Sequence, residues 1–215
     1  MPVSLRPGVS FCRVGDRLVF LDRKRDRYFG ISLALEQELL KARDGHWRPT
    51  GLLASGLVIE SGEAACPIRA TCHVIPQAGL LEHLNISAPN LLLARAIAGQ
   101  LRARVDIACR GFDRALRSLE RLKASASKTG RPCFVDLAMI ASSHYRSRLI
   151  TSSTSQCLPN SLALARHLVS HGYNARLVVG VKLRPFEAHC WVEHDRLVVS
   201  DHLEMIQTFT PILAI

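Results

Sequence analysis

The hydrophobic period of the chain changes once in its C-terminal half, and that change limits the folds open to it. Three segments of helical length, "NLLLARAIAGQLRARV", "CRGFDRALRSLERLKAS" and "PCFVDLAMIASSHYRSRLI", repeat apolar side chains every three or four residues. A fourth, "LPNSLALARHLVSHG", ends at Gly172. Beyond it the period falls to two in "ARLVVGVKL", "AHCWVEH" and "RLVVSD". Helices that feed an antiparallel sheet predict an α+β domain over residues 88–215.

The N-terminal part follows another pattern. "VSFCRVGDRLVFLDRKRDRYFGI" holds three short strands, broken by "GD" and by the charged "RKRDR". "SLALEQELLKARDG" then predicts a helix with Ser32 as N-cap, Leu33, Leu35, Leu39 and Leu40 as its apolar stripe, and Gly45 as its stop. A shorter helical piece follows around "PTGLLASGLVI". Residues 1–60 are therefore expected to form a small domain, near the size at which a core barely sustains itself. Between 61 and 87, prolines and glycines interrupt every pattern, which predicts a linker.

Composition removes several function classes. A hydrophobic content of 48% supplies a core, so the chain is not expected to be disordered. No apolar run reaches the roughly 18–20 residues that span a bilayer, and the N-terminus lacks the apolar region of a signal peptide, which together predict a cytoplasmic protein without a membrane span. Seven irregularly spaced cysteines suit reduced thiols rather than a disulfide framework. Cys66 and Cys72 are spaced more loosely than a zinc half-site, and His167 and His171 share a helix face without the glutamate of a zinc-protease helix. His171 is expected at a partly exposed helix end, where it complements the dipole. Neither a metal nor another cofactor is expected. The net charge of +10 is concentrated in residues 86–150, which carry twelve Lys and Arg against four Asp and Glu. Arg110, Arg114, Arg117 and Arg121 recur there on one helical face. Such a face is most simply solvated, and next most simply a dock for an acidic partner. No aromatic or glycine pattern of a nucleic-acid module accompanies it.

One constellation points to covalent chemistry. Cys157 stands at the start of the fourth helix, with Pro159 suited to the first turn. The helix dipole favours thiolate there and can lower a thiol pKa from about 8.5 into the range ~3.5–7.5. The first-turn amides can also hold an oxyanion. Alone, a cysteine at a helix start is more often structural. However, "FEAHCWVEHDRLVVSD" reads as two strands, with His189 opening the first and Asp201 closing the second. An imidazole oriented by a carboxylate is the remainder of a nucleophile-activating triad.

The order Cys on a helix start, His on a strand, Asp after the next strand is that of the papain and transglutaminase superfamily. The residues "C…HCWVE…VVSD" resemble the leader peptidase domain of B proteins in lasso-peptide biosynthesis, over about residues 88–215. "LVFLDRKRDRYFGIS" resembles the precursor-recognition domain of the same systems. The resemblance implies a small, three-stranded, winged-helix-like domain that binds a leader peptide by strand addition, followed by a papain/transglutaminase-like cysteine peptidase that releases the leader. It makes Cys157 the nucleophile, His189 the general base and Asp201 the orienting carboxylate, and it places Tyr28 and Phe29 against the leader. It also implies a separate ATP-dependent cyclase as partner. Cys190 stands where the family more often has alanine. By strand alternation it is expected to face away from His189 and not to reach Cys157. The same triad could serve an acyl transferase with an amine acceptor, and a non-catalytic peptide-recruiting module is a third reading.

Overall fold

A computed structural model of the chain describes residues 3–43, 49–60, 68–83, 88–126, 133–150 and 156–215. It divides into two units, residues 1–72 and 73–215.

In the first unit, β1 (Val3–Leu5) precedes a meander of β2 (Val9–Val14), β3 (Arg17–Asp22) and β4 (Arg27–Phe29). Gly15 turns β2 into β3 at φ +62°, a conformation that costs a glycine little. The register aligns Phe11 with Phe20 and Phe20 with Phe29. Their rings stack at 5.3 Å between centroids in both pairs, so one aromatic column ties the three strands together. α1 (Leu33–Arg43), α2 (Thr50–Ala54) and β5 (Val58–Glu60), which pairs antiparallel with β1, complete the unit. Ser32 Oγ accepts the Leu35 amide at 3.4 Å, as expected of an N-cap. The expected stripe on α1 is corrected: Leu33 and Leu40 are exposed, and the buried face carries Leu39, Ala42 and Glu36. Glu36 is tolerated there because it accepts from Arg17 Nε at 3.1 Å and from the Leu18 amide at 3.2 Å. Gly45 lies outside the described residues.

In the second unit, β6 (Ala78–Gly79) and a short 3₁₀ turn at Leu81–His83 lead to the helices α3 (Asn90–Arg110), α4 (Phe112–Ser125), α5 (Phe134–Ile150) and α6 (Cys157–Ser170). Gly111, at φ +81°, separates α3 from α4, so Arg110 does not share a helix with Arg114, Arg117 and Arg121. The chain then forms β7 (Ala175–Lys182), β8 (Glu187–His194), β9 (Leu197–Val198), α7 (Leu203–Ile206) and β10 (Thr210–Ala214).

The sheet order is β10-β7-β8-β9-β6. All its pairs are antiparallel except β6 with β9, which corrects the expectation of a purely antiparallel sheet. β6 comes from the stretch read as linker. β10 contains Pro211, which an edge strand tolerates because its outer side needs no ladder donor. α6 is buried along Leu162, Leu164, Ala165, Leu168 and Val169 and packs on β7 and β8, while α3 and α5 flank it. Trp191, Val178, Val198, Ile206 and Phe209 form a cluster of their own. β7 and β8 are therefore buried along most of their length, and the unbroken apolar run at 177–181 of β7 follows from that.

Candidate active site

The start of α6 and the start of β8 meet because Ser161 Oγ donates to the Cys190 carbonyl at 2.8 Å. Cys157 is the first residue of α6, so its own amide has no carbonyl partner within the helix. The Cys190 thiol and amide and the His189 ring all hydrogen-bond to its sulfur. Against the pull of burial, these contacts lower the Cys157 thiol from its ordinary 9.0 to about 4, with the Cys190 thiol contributing most and His189 next.

This corrects the expectation for Cys190. Successive residues of a strand point to opposite faces, yet Ser161 of α6 bonds the strand at residue 190, and both Cys190 and His189 reach the Cys157 sulfur.

His189 Nε2 lies 3.3 Å from Asp201 Oδ1, an ion-pair contact in which the N–H is not aligned as a full hydrogen bond. Nδ1 is the nitrogen left for the thiol. Burial alone pushes the imidazole down, and it is outweighed by Asp201 and Cys157, which raise it to about 9. The ring is also held mechanically, 5.5 Å from the Phe209 ring and near-parallel to Trp191 at 6.5 Å between centroids. Gly180 faces His189 across the β7–β8 ladder. A Cβ at that position would fall 2.6 and 2.7 Å from Trp191 ring atoms, so only glycine leaves room for the indole.

Asp201 is 3% exposed and follows β9 in a bend. Burial works against its charge, yet the carboxyl is held below its ordinary value by His189, Arg148 and Ser200. Arg148 Nη1, from α5, donates to Oδ1 at 3.0 Å and to the Ser200 carbonyl at 2.8 Å. Ser200 Oγ donates to Oδ2 and accepts the Val192 amide at 2.8 Å. Arg148 and Ser200 went unnoticed in the sequence, where neither forms part of a motif. Glu193 is occupied elsewhere, accepting from Trp191 Nε1 at 2.7 Å and contacting His73 Nε2 at 2.8 Å. Chemically, a half-buried thiolate–imidazolium pair backed by a buried carboxylate at a helix start is suited to attack on a carbonyl.

The family model of the transglutaminase-like superfamily matches residues 93–214, more than half of the chain, including Cys157, His189 and Asp201. The chain belongs to the transglutaminase-like superfamily. Within this transglutaminase-like protein, a 47-residue stretch is 47% identical to the microcin J25-processing protein McjB of Escherichia coli. That match spans 22% of this chain and 23% of the relative. No solved structure matches. No helix among the described residues is long and apolar enough to cross a membrane.

Tyr28 and Phe29 are on β4, the outer strand of the first unit's meander. Phe29 is committed to the aromatic column and carries Arg27 over its ring at 5.5 Å, whereas Tyr28 is half-buried on the opposite face. His167 is buried against His144, Nδ1 to Nε2 at 3.0 Å, while His171 is exposed at the helix end with Nδ1 3.0 Å from the His167 carbonyl. Burial, helped by His167 at the one and by His171 and Arg95 at the other, lowers His144 to about 3 and His167 to about 4, so both rings are neutral near pH 7. Cys72 is a free exposed thiol, and Cys66 lies outside the described residues.

Proposed function

We propose that the protein is a cysteine peptidase that binds a ribosomal precursor peptide by its leader and cleaves the leader from the core during lasso-peptide maturation. The observation that carries this reading is the convergence of Cys157, His189 and Asp201, with the thiol pulled down by Cys190 and His189 and the imidazole raised by Asp201 and Cys157. The stretch shared with a microcin-processing protein supports the substrate class.

In this mechanism the Cys157 thiolate adds to the scissile carbonyl carbon, and the oxyanion forms beside the free Cys157 amide. His189 gives its proton to the leaving amine nitrogen as the C–N bond breaks, which leaves an acyl-enzyme thioester and a neutral imidazole. Water then attacks the thioester while His189 takes its proton. Collapse releases the leader carboxylate and restores the ion pair. Asp201, fixed by Arg148 and Ser200, orients the imidazole throughout and is not itself protonated. β4 is the edge on which a leader strand would add, since the β2 side already receives the Thr71 amide on the Phe11 carbonyl at 2.7 Å. The reading sets the protein in the cytoplasm and gives the freed core to an ATP-dependent cyclase.

The test is mass analysis of the products from a precursor peptide encoded beside the gene. A free acid at the new leader C-terminus, absent with Cys157→Ala, is the expected result. An amide in its place would mean an acyl transferase on the same triad. Unimpaired processing by Cys157→Ala would leave only a peptide-recruiting module.

A further inference from the structure

The solvent side of α3 is apolar. Leu91, Ala94, Ala98, Leu101, Val105 and Ala108 recur at alternating steps of three and four, and all six are exposed, with Leu91 at 80%, Leu101 at 51% and Val105 at 62%. The helix buries Ala96, Gln100 and Ala103 on its other side, so this stripe is a second apolar face and not part of the core. Steps of three and four are the spacing of a seam that accepts another helix. A run of large exposed apolar side chains along one helix marks an interaction surface far more often than a solvated one.

Charge narrows the occupant. Arg95 and Arg102 follow the seam along one edge and open onto a groove of about 690 Å³ between α3, α4 and α6. The groove's lining includes four arginines and one carboxylate, Asp106, which already pairs with Arg110 at 3.3 Å and with Arg166. The positions that flank the seam on either side, residues 90, 97 and 104 and residues 95, 102 and 109, hold no Asp or Glu. A second copy of the chain would therefore bring arginine toward arginine with no acid to offset it. The basic stretch noted in the sequence thus surrounds an apolar seam, and the two features call for one ligand.

We propose that the outer face of α3 docks an amphipathic helix of another protein, one with an apolar stripe of heptad spacing and carboxylates along the edge that meets Arg95 and Arg102. The apolar seam supplies burial, and the arginine edge selects the partner and sets its direction. The site is separate from Cys157, so occupation is independent of the peptidase reading.

The probe is a fluorescein-labelled three-heptad peptide with Leu at the seam positions and Glu at the flanking ones, titrated into the full chain by anisotropy. Two controls carry Lys at the flanks, or Ser at the seam. The Glu–Leu peptide is expected to bind at least tenfold more tightly than either control, and more weakly as salt is raised. Leu101→Glu with Val105→Glu should weaken it at least tenfold, and Arg95→Glu with Arg102→Glu should turn the preference toward the Lys peptide. Circular dichroism melts establish that each variant is folded, and Leu101→Ser with Val105→Ser serves if the glutamates unfold it. Equal binding of all three peptides, or indifference to these substitutions, overturns the proposal. So does a concentration-dependent dimer in sedimentation that Leu101→Glu abolishes, which would give the face to a second copy.

Discussion

Replacing His189 by alanine should change the shape of the Cys157 alkylation profile more than its height at neutral pH. In the intact site the thiol is held at about 4 and the imidazole at about 9, so thiolate is fully present from about pH 5 to pH 8. Reaction with iodoacetamide should therefore be nearly independent of pH across that window. His189→Ala removes one of the two side chains that lower the thiol. Burial then pushes the thiol up while the Cys190 contacts, which outweigh it, still pull it down, so the group rises toward its ordinary 9.0, which is the upper limit. At that limit the thiolate fraction at pH 5 falls to about 10⁻⁴. A less acidic thiol is a better nucleophile once ionised, and a Brønsted slope of about 0.4–0.5 over five pKa units returns roughly 100- to 300-fold. The net expectation is a variant slower at pH 5 by up to about 30- to 100-fold, no slower than wild type near pH 7, and faster at pH 8. The assay is peptide-mapped labelling of Cys157 from pH 4.5 to 9.5. Cys12 provides an internal control, since it is buried with its thiol pushed up to about 12 and should stay unlabelled. A wild-type rate that climbs tenfold per pH unit between 6 and 8 would refute the ion pair. So would a flat profile in His189→Ala.

Four further outcomes are expected. Cys190→Ala should move the acid limb of the same profile toward neutral pH, because it removes the largest contribution to the thiolate, while the basic limb belonging to His189 stays; an unmoved acid limb would deny the contact any role. Asp201→Asn should keep the fold and lower single-turnover cleavage by about 10²- to 10⁴-fold, since it leaves the imidazole without its orienting charge, and equality with wild type would assign the carboxylate elsewhere. Gly180→Ala forces a methyl to within 2.7 Å of the Trp191 ring and should cost about 1–3 kcal/mol, read as a lowered Tm and a shift in Trp fluorescence. An unchanged melt would mean that the indole can move aside without penalty. Tyr28→Ala should weaken leader binding about tenfold, an interface side chain at the ~1.4 kcal/mol level, with Cys157 alkylation unchanged; undiminished affinity in a titration would take the leader off this face of β4.

Much of this protein was readable from neighbours in the chain. Turn chemistry at "GD" and "RKRDR" delimited the meander. The change of period after Gly172 separated the helices from the sheet, and a cysteine at a helix start followed by "HCWVE" singled out Cys157 and His189, which the fold brings together, because helix capping and strand alternation act over four residues or fewer. What those rules do not reach is contact across tens of residues. Arg148 and Ser200 became partners of Asp201 only when α5 packed beside the bend after β9. Strand alternation gave the wrong neighbour for Cys190, since it says nothing of where α6 crosses β8. β6 was invisible because two residues carry no period, and α1 showed four leucines of which the core accepted a subset. The apolar positions on α3 were equally plain in the sequence. Only the packing of Ala96, Gln100 and Ala103 against the other helices decided which side faced inward, and so left Leu91, Leu101 and Val105 facing water.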